Sequence, residues 1–301
     1  MLNFNHLRLF EAVARAGSVS RAAEELRLSQ PALSKQVREL EAALGVALLE
    51  RLPRGVRATE AGELLAGYAR QIFALGEEAE RALAELRGLG RGRLRLGASM
   101  TIGVYLAPTL LAESRRRWPG LAIECAIENT DTIQQGLVEH GLDLGLTEGP
   151  GKFDGVLEGH IFRWDELVVV AGAGQGVAEA PTLRELAGLA WVMREPGSGT
   201  RAVVEAALGR RGVRVTPAWT FNNPEAVKRA VMAGAGVAMI PALTAEEELE
   251  RGQLRRLRVR GLRVRRALRV QWLRGRPASA AMAAFVELLG APQGLGGGAT
   301  R

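Results

Sequence analysis

The sequence contains little cysteine and histidine and no long apolar run, and each shortage excludes a class of protein. The single cysteine, Cys125, cannot form an intrachain disulfide. The three histidines, at positions 6, 140 and 160, show no metal-ligand spacing such as HExxH. The amino-terminal MLNFNHLRLFEAVARAG is amphipathic, so it resembles neither a signal peptide nor a membrane anchor. We therefore expect a cytoplasmic protein with no membrane association, no metal site and no cofactor.

Lysine is also scarce, with only three residues, yet the formal net charge is +7 because arginine is abundant. Residues 1–90 contain twelve basic and twelve acidic side chains and are neutral overall. The surplus lies in residues 250–276, where eleven arginines accompany one acidic residue, Glu250. We interpret this run as the solvated edge of arginine-rich strands; a second nucleic-acid surface is the alternative.

Residues 18–60 predict two short helices, a tight connection and an arginine-rich hairpin. Ser20 can cap the first helix and Ser29 the second, whose first turn tolerates Pro31. Apolar residues recur every three or four positions and predict one buried face. They are Ala22, Ala23 and Leu26 in the first helix, and Leu33, Val37, Leu40 and Leu44 in the second. The opposite face of the second helix is small, polar and cationic.

That polar face suits the major groove of double-stranded DNA, and a basic loop follows it. Gln30 and Ser34 are short enough to read base edges, and Pro31 and Ala32 can contact thymine methyl groups. Gly45 permits a helix C-cap, and Pro53 and Gly55 give the loop 51–57 its turn chemistry. The pattern predicts a helix-turn-helix with a basic wing. A small helical bundle with a solvated charged face is the alternative.

The pattern AxxGSxxxAAxxLxxSQPALSxQxxxLExxLGxxLxxR, followed by TEAG, resembles the amino-terminal signature of LysR-type transcriptional regulators. The chain matches it from Ala14 to Gly62. The resemblance implies a DNA-binding regulator that is not an enzyme, with RNA polymerase as a further candidate partner. We predict that DNA is contacted by Ser29, Gln30, Pro31, Ala32, Ser34, Lys35, Arg38 and Arg54. Of these, Lys35, Arg38 and Arg54 bind phosphates.

A first helix is predicted over residues 5–16, and a long one from Thr59 to about Arg87. The long helix carries an apolar seam of Leu65, Tyr68, Ile72, Leu75, Ala79, Leu83 and Leu86. A seam of this length indicates helix pairing, because it outruns any small winged-helix core. In LysR-type regulators this linker helix dimerises, so the resemblance implies a homodimer, with a homotetramer as the larger assembly. We expect a DNA-binding domain at 1–58 and a linker at 59–90.

From residue 91 onward, short apolar strands alternate with helical stretches, which predicts a mostly parallel α/β sheet. Two such series imply two lobes, with lobe I at 91–162 and 268–290 and lobe II at 163–267. The chain then crosses between lobes near 162–165 and 263–267. The topology resembles type-II periplasmic binding proteins, with a ligand cleft between hinged lobes. The glycine-rich end, 291–301, predicts a flexible tail.

Hydroxyl and amide side chains follow several of these strands, where ligands bind in open α/β sheets. The candidate effector residues are Ser99, Met100, Thr101, Thr130, Thr147, Ser198, Gly199, Thr200 and Asn222. Helix amino termini with free N–H groups suit a small anion, whereas capping of each residue's own helix is the alternative. In LysR-type regulators the residues after the first strand and the hydroxyls that match Thr130, Thr147 and Thr200 bind effectors. The motif REPGSGTR at 194–201 resembles members that control sulfur assimilation or carbon fixation.

Two other function classes compete with a ligand-responsive regulator. A solute-binding protein would keep the cleft, but it fails on the missing signal peptide and the DNA-binding third. A two-lobed α/β enzyme needs a catalytic constellation, which GPGK at 149–152 and GSG at 197–199 do not supply. We interpret Cys125, in the alternating run 121–127, as a packing residue, because a thiol sensor would need a second cysteine.

Overall fold

The computed structural model describes residues 2–86, 92–153 and 155–290. It divides into two compact units, Met1–Ala84 and Glu85–Arg301. The predicted tail at 291–301 and the linker glycines Gly88 and Gly90 lie outside the described residues. No helix in the described ranges is long and apolar enough to cross a bilayer.

The first unit is a three-helix core followed by a small hairpin and a long helix. Its elements are α1 (Phe4–Ala16), α2 (Val19–Leu26), α3 (Gln30–Leu44), β1 (Leu49–Arg51), β2 (Val56–Ala58) and α4 (Glu60–Leu86). The core is built from Leu7, Phe10 and Val13 of α1, packed on Leu33 and Leu40 of α3. This packing leaves the polar face of α3 outside.

Two predictions for the helices of this unit are wrong. Ser18, not Ser20, caps α2, because Ser18 has an extended backbone and its side chain accepts from the Arg21 N–H. Ser20 lies inside the helix. Leu44, assigned to the buried face of α3, is 42% exposed, because it lies in the last turn before the left-handed Gly45 cap.

The wing hairpin is fastened at both ends. At its tip, Gly55 has φ +88°, and its backbone passes so close to the Gly17 carbonyl that a Cβ would lie 2.5 Å from that oxygen. At its base, Glu41 Oε1 accepts from the N–H groups of Leu48 and Leu49 at 2.8 and 3.1 Å. These contacts hold the arginine-rich loop against α1 and α3.

The second unit contains two lobes. Lobe I is built on β3 (Arg93–Ser99), α5 (Met100–Tyr105), α6 (Ala107–Arg117), β4 (Ala122–Glu128), α7 (Thr130–Val138), β5 (Leu144–Glu148) and α12 (Ala280–Leu288). Lobe II is built on α8 (Leu183–Ala187), β7 (Trp191–Arg194), α9 (Gly199–Gly209), β8 (Pro217–Phe221), α10 (Pro224–Met232), β9 (Ala238–Pro241), α11 (Ala242–Glu250) and β10 (Leu254–Leu257). Two long strands, β6 (Leu157–Gly172) and β11 (Val264–Leu273), run through both lobes.

The main sheet is mixed, so the prediction of a mostly parallel sheet is wrong. Its order is β10-β6-β11-β5-β3-β4, with β9 also paired to β6. The pairs of β3 with β4 and β5 are parallel, whereas every pair that involves β6 or β11 is antiparallel. Arg163 pairs with Leu268 where β6 and β11 pass between the lobes. The two connections between the lobes therefore form one antiparallel two-stranded ribbon.

Three further differences concern helices and burial. The helix predicted from Tyr105 to Trp118 is α6, and the short helix α5 that comes before it was not predicted. The pair α11 and β10 was not predicted. The arginine run at 250–276 is not entirely a solvated edge, because Arg266 is 2% exposed and lies between the lobes.

Cys125 is half-buried on β4, and burial raises the pKa of its thiol. It packs against the lobe I core, which agrees with a packing role.

Candidate functional sites

The candidate DNA-binding face is the exposed side of α3. Ser29 caps the helix by accepting from the Ala32 N–H, and Gln30, Pro31, Ala32, Lys35 and Arg38 are exposed. Ser34 is half-buried on the same side, and its carbonyl accepts from Arg38 Nε at 3.2 Å. Lys35 lies 3.8 Å from Glu39, one turn further along. Arg54 is exposed in the wing loop.

This arrangement separates two kinds of contact. The first turn of α3 presents short side chains without charge, which suits base edges. Cationic groups follow on the second and third turns and on the wing, which suits phosphates. Because Leu33, Val37 and Leu40 are buried on the opposite side, the orientation of this face is fixed by the core.

Five of the nine candidate effector residues lie close together between the lobes, namely Ser99, Thr130, Ser198, Gly199 and Thr200, and their hydroxyls already have protein partners. Ser99 Oγ donates to Glu148 Oε2. Thr130 Oγ1 lies 3.3 Å from the Glu148 carbonyl, and Thr200 Oγ1 lies 3.5 Å from Glu148 Oε1. Two of the predicted residues therefore contact one carboxylate that the sequence did not reveal, and a third contacts the main-chain carbonyl of the same residue.

Arg266 completes this buried cluster. Its Nη1 donates to Thr200 Oγ1 at 2.7 Å and lies 3.4 Å from Glu148 Oε1. Its Nε donates to Asp165 Oδ2 at 2.8 Å. Burial raises the pKa of Glu148, and the nearby charges of Arg266 and Arg194 oppose that shift without cancelling it.

An open pocket of about 380 Å³ adjoins the cluster. Lobe I contributes Thr130, Asp131 and residues 150–152, and lobe II contributes residues 196–199, Arg201, Ala202 and Glu205. Ser198 caps α9 by accepting from the Arg201 N–H, so the alternative role of helix capping applies to it. The wall carries two paired cations, Lys152 with Asp131 and Arg201 with Glu205. The pocket wall therefore carries both cationic and acidic side chains.

The remaining predicted residues do not join this group. Thr147 Oγ1 hydrogen-bonds Gln271 Oε1 at 2.6 Å. Asn222 is exposed, and its carbonyl accepts from Arg194. Thr101 is fully buried, and its hydroxyl has no partner among the described residues. Met100 is half-buried at the start of α5.

A second contact between the lobes lies at the other end of α5. The Tyr105 hydroxyl donates to Glu225 of α10, and Lys228 Nζ lies 2.9 Å from Glu225 and 2.7 Å from Glu248. Sequence reasoning missed these residues, and it missed Arg266 and Glu148, since each partner is far away in the chain. Among the described residues, no group of His, Cys, Asp and Glu could hold a metal ion.

Comparison with known proteins gives two family matches that together span most of the chain. Residues 4–63 match the family described as "Bacterial regulatory helix-turn-helix protein, lysR family", and residues 87–292 match "LysR substrate binding domain". A curated relative from Allochromatium vinosum, named "RuBisCO operon transcriptional regulator", is 39% identical over 290 residues, which cover 96% of this chain and 95% of the relative. This relative confirms the resemblance to carbon-fixation regulators.

Two solved structures are similar to the chain. Full-length CbnR complexed with its target DNA has a TM-score of 0.69 at 25% identity and covers 95% of this chain and 98% of that chain. The CcmR regulatory domain of Synechocystis PCC6803, solved in complex with 2-PG, has a TM-score of 0.60 at 28% identity. That match covers 66% of this chain and 95% of the domain.

Proposed function

Since the chain belongs to the LysR family of transcriptional regulators, we propose that it binds promoter DNA through α3 and the wing. We further propose that a small anionic effector in the inter-lobe pocket changes this binding. The domains are then a DNA-binding domain at 1–58, a linker at 59–90 and an effector domain at 91–301. The relatives are named as transcriptional regulators, which separates this function from those of a solute-binding protein and an enzyme.

The exposed first turn of α3 carries the DNA-binding half of the proposal. Gln30 and Ser34 read bases, Pro31 and Ala32 contact thymine methyl groups, and Lys35, Arg38 and Arg54 bind phosphates. The cap at Ser29 keeps the Ala32 N–H paired, so the helix start stays intact where it meets DNA.

The test of this half is DNA binding by the full-length chain and its variants. The DNA is first selected from a random library, and a promoter of a RuBisCO operon is the first natural fragment to compare. Lys35→Ala should weaken binding to all sequences and reduce the slope of log K against log salt by about 1. Gln30→Ala should relax base preference at one position, at a cost of about 1–3 kcal/mol for the preferred base.

Arg229→Ala serves as the control, since Arg229 is an exposed arginine of α10 in the second unit. It should leave both the salt slope and the base preference unchanged. If Lys35→Ala and Gln30→Ala bind like the unmodified chain, with the same salt slope, α3 is not the recognition helix.

The assembly that we propose is a homodimer through α4, which can associate further into a homotetramer. The seam residues Tyr68, Leu75 and Leu83 are 56%, 53% and 60% exposed in the single chain, so α4 has an apolar surface to bury. A protein that binds promoter DNA acts in the cytoplasm, which is the location that we propose, and RNA polymerase is a further candidate partner.

The inter-lobe pocket carries the effector half of the proposal. Its wall combines the amino end of α9 with Thr130 and two cationic side chains, and 2-PG, the ligand of the CcmR domain, is an anion of suitable size. Thr101 at the start of α5 is a further candidate donor, since its buried hydroxyl has no partner among the described residues.

Thermal denaturation of the full chain tests this half. The panel contains 2-PG, sulfate, phosphorylated sugars, nucleotides and aromatic carboxylates. A ligand at a hundredfold excess over Kd stabilises the protein by about 2.7 kcal/mol. Thr101→Ala and Ser198→Ala should abolish the shift. Ser114→Ala, which removes another buried hydroxyl on α6, should preserve it. A panel without any stabilising anion would contradict the effector site.

A further inference from the structure

Glu148 occupies the position between the lobes where an anion was expected from the sequence. It ends β5 and is 1% exposed. Its carboxylate accepts from Ser99 of lobe I and lies beside Thr200 of lobe II. One internal carboxylate therefore joins hydroxyls of both lobes.

The positive charges around Glu148 are shared with other carboxylates. Arg266 of β11 lies 3.4 Å from it, but the same guanidinium pairs with Asp165 of β6 at 2.8 Å. Arg194 of β7 also acts on Glu148, yet its side chain is held in a two-point contact by Glu195. Three carboxylates thus face two guanidinium groups in a buried cluster. Burial raises the pKa of Glu148 in this setting.

The pocket borders Glu148 on the side of its main-chain carbonyl. Thr130 Oγ1 is 3.3 Å from the Glu148 carbonyl, and Gly199 packs so tightly on that carbonyl that a Cβ would overlap it. Both residues also line the pocket. On the pocket side, the cations Lys152 and Arg201 are already paired with Asp131 and Glu205. An anion in the pocket therefore adds negative charge near Glu148, and neither Lys152 nor Arg201 is free to offset it.

We propose that Glu148 is a positioning residue of the effector site, which ties the two lobes together and takes up one proton when an anion enters the pocket. The inference rests on the proposed effector function. The proton comes from solvent and converts the Glu148 carboxylate to the acid, whose O–H can donate to Thr200 Oγ1; no covalent bond to the effector forms. Protonation removes the like-charge repulsion and keeps the contact between the lobes.

Linkage fixes the direction of the effect. If anion binding takes up a proton, acid must strengthen anion binding by the same coupling. In the pH range between the pKa of Glu148 in the free and in the anion-bound protein, affinity should rise up to tenfold for each pH unit of acidification.

Calorimetric titration of the full-length protein tests the proposal. Titrations with 2-PG and with sulfate, between pH 6 and 9, are repeated in buffers of different ionisation enthalpy to count protons. Sulfate does not titrate in this range, so proton uptake with sulfate belongs to the protein. The unmodified chain should take up a proton, whereas Glu148→Gln should bind with a flat pH profile and no uptake. Glu158→Gln, a carboxylate that accepts from Trp272 Nε1 outside the cluster, should behave like the unmodified chain.

The outcomes separate the two proposals. Anion binding without proton uptake at any pH, or uptake that persists in Glu148→Gln, would overturn the role of Glu148 and leave the effector site standing. If neither these two anions nor any other member of the anion panel binds at pH 6, the effector site is overturned, and the proton linkage with it. If Glu148→Gln fails to fold, the unmodified chain still tests the proposal, because anion binding without proton uptake by that chain rejects it.

Discussion

Asp143 and Glu148 lie at the two ends of one short segment around β5, and their carboxyl groups are held in opposite ways. Burial raises the pKa of Asp143, but hydrogen bonds and charges from Arg95, together with the charge of Arg276, outweigh it and leave the pKa below its ordinary value. Glu148, roughly 17 Å away along the strand, has its pKa raised by burial. Two arginines therefore favour the ionised form of Asp143, whereas burial disfavours the ionised form of Glu148.

The lowered pKa of Asp143 predicts a stability that depends on pH. Asp143→Asn should destabilise the protein by about 3–5 kcal/mol at pH 7, since Arg95 and Arg276 lose a buried ionised partner. For a lowered carboxyl pKa, the stabilisation is present above the unfolded-state pKa and lost as the pH falls through the folded-state pKa. The difference between the two proteins should therefore shrink below about pH 4.

Urea denaturation of both proteins at a series of pH values measures this difference. Glu124→Gln is the matched control, because Glu124 also pairs with an arginine, Arg93, but on the exposed face of β4. It should leave the stability nearly unchanged, because solvent screens an exposed ion pair. A constant deficit of Asp143→Asn from pH 7 to pH 3 would show that the loss comes from packing and not from charge.

At the residue scale, the sequence revealed local contacts and missed distant ones. Ser29 caps its helix as predicted, because the cap is decided within three residues. Ser18 and Ser20 are both compatible with the start of α2, and only the backbone conformation separates them. Arg266 could not be distinguished from the other arginines of its run. Its partners, Asp165 and Glu148, are brought to it by the register of the long strands and the fold of lobe I.

At the scale of elements, α4 presents an apolar surface that its own unit does not cover. Ala66 and Ala69 are buried against the core, whereas Tyr68, Leu75 and Leu83 remain exposed. The exposed side chains follow the spacing that was predicted for helix pairing. A second helix of the same kind is the partner that we propose.

Leu75→Glu should therefore weaken the dimer and leave the fold of each unit intact. A carboxylate in the middle of the seam would be buried without a partner in the pair, at a cost of several kcal/mol. Light scattering across a range of protein concentrations should report a shift from dimer to monomer, while the circular dichroism spectrum stays unchanged. Arg70→Glu, an equally drastic charge change at an exposed position outside the seam, should remain dimeric. A dimeric Leu75→Glu protein would place the interface elsewhere.

The elements also show where periodicity stops being informative. Alternating strands and helices predicted most elements from β3 to β9, since hydrophobic runs mark each one. The first half of β6, LEGHIFRWDE, mixes charged and apolar residues, so it does not read as a buried strand. Strand direction is not encoded in periodicity at all, and this is why the antiparallel ribbon of β6 and β11 was missed.

At the scale of the whole molecule, the relatives match this chain over both of its compact units. Ligands bind at strand ends and helix starts in open α/β sheets, and on this basis the sequence predicted Thr130, Ser198 and Gly199 as site residues. The structure shows that all three line one pocket. The internal carboxylate at its back was not predictable. Consequently, the sequence indicates the pocket in which we propose that an effector binds, whereas only the structure reveals the buried carboxylate near it.

A dimer that carries two recognition helices predicts a strict dependence on the spacing of the two DNA half-sites. Insertion of 5 base pairs between them rotates one half-site by about half a helical turn, to the opposite face of the duplex, whereas 10 base pairs restore the face. The full-length chain should lose most of its specific affinity on the first insertion and recover part of it on the second. Leu75→Glu should bind both DNAs equally weakly, because a monomer engages one half-site. If the unmodified chain binds with the same affinity at every spacing, the protein does not hold the two recognition helices at a fixed distance. That result would contradict the proposed pairing of α4 as the basis of promoter binding.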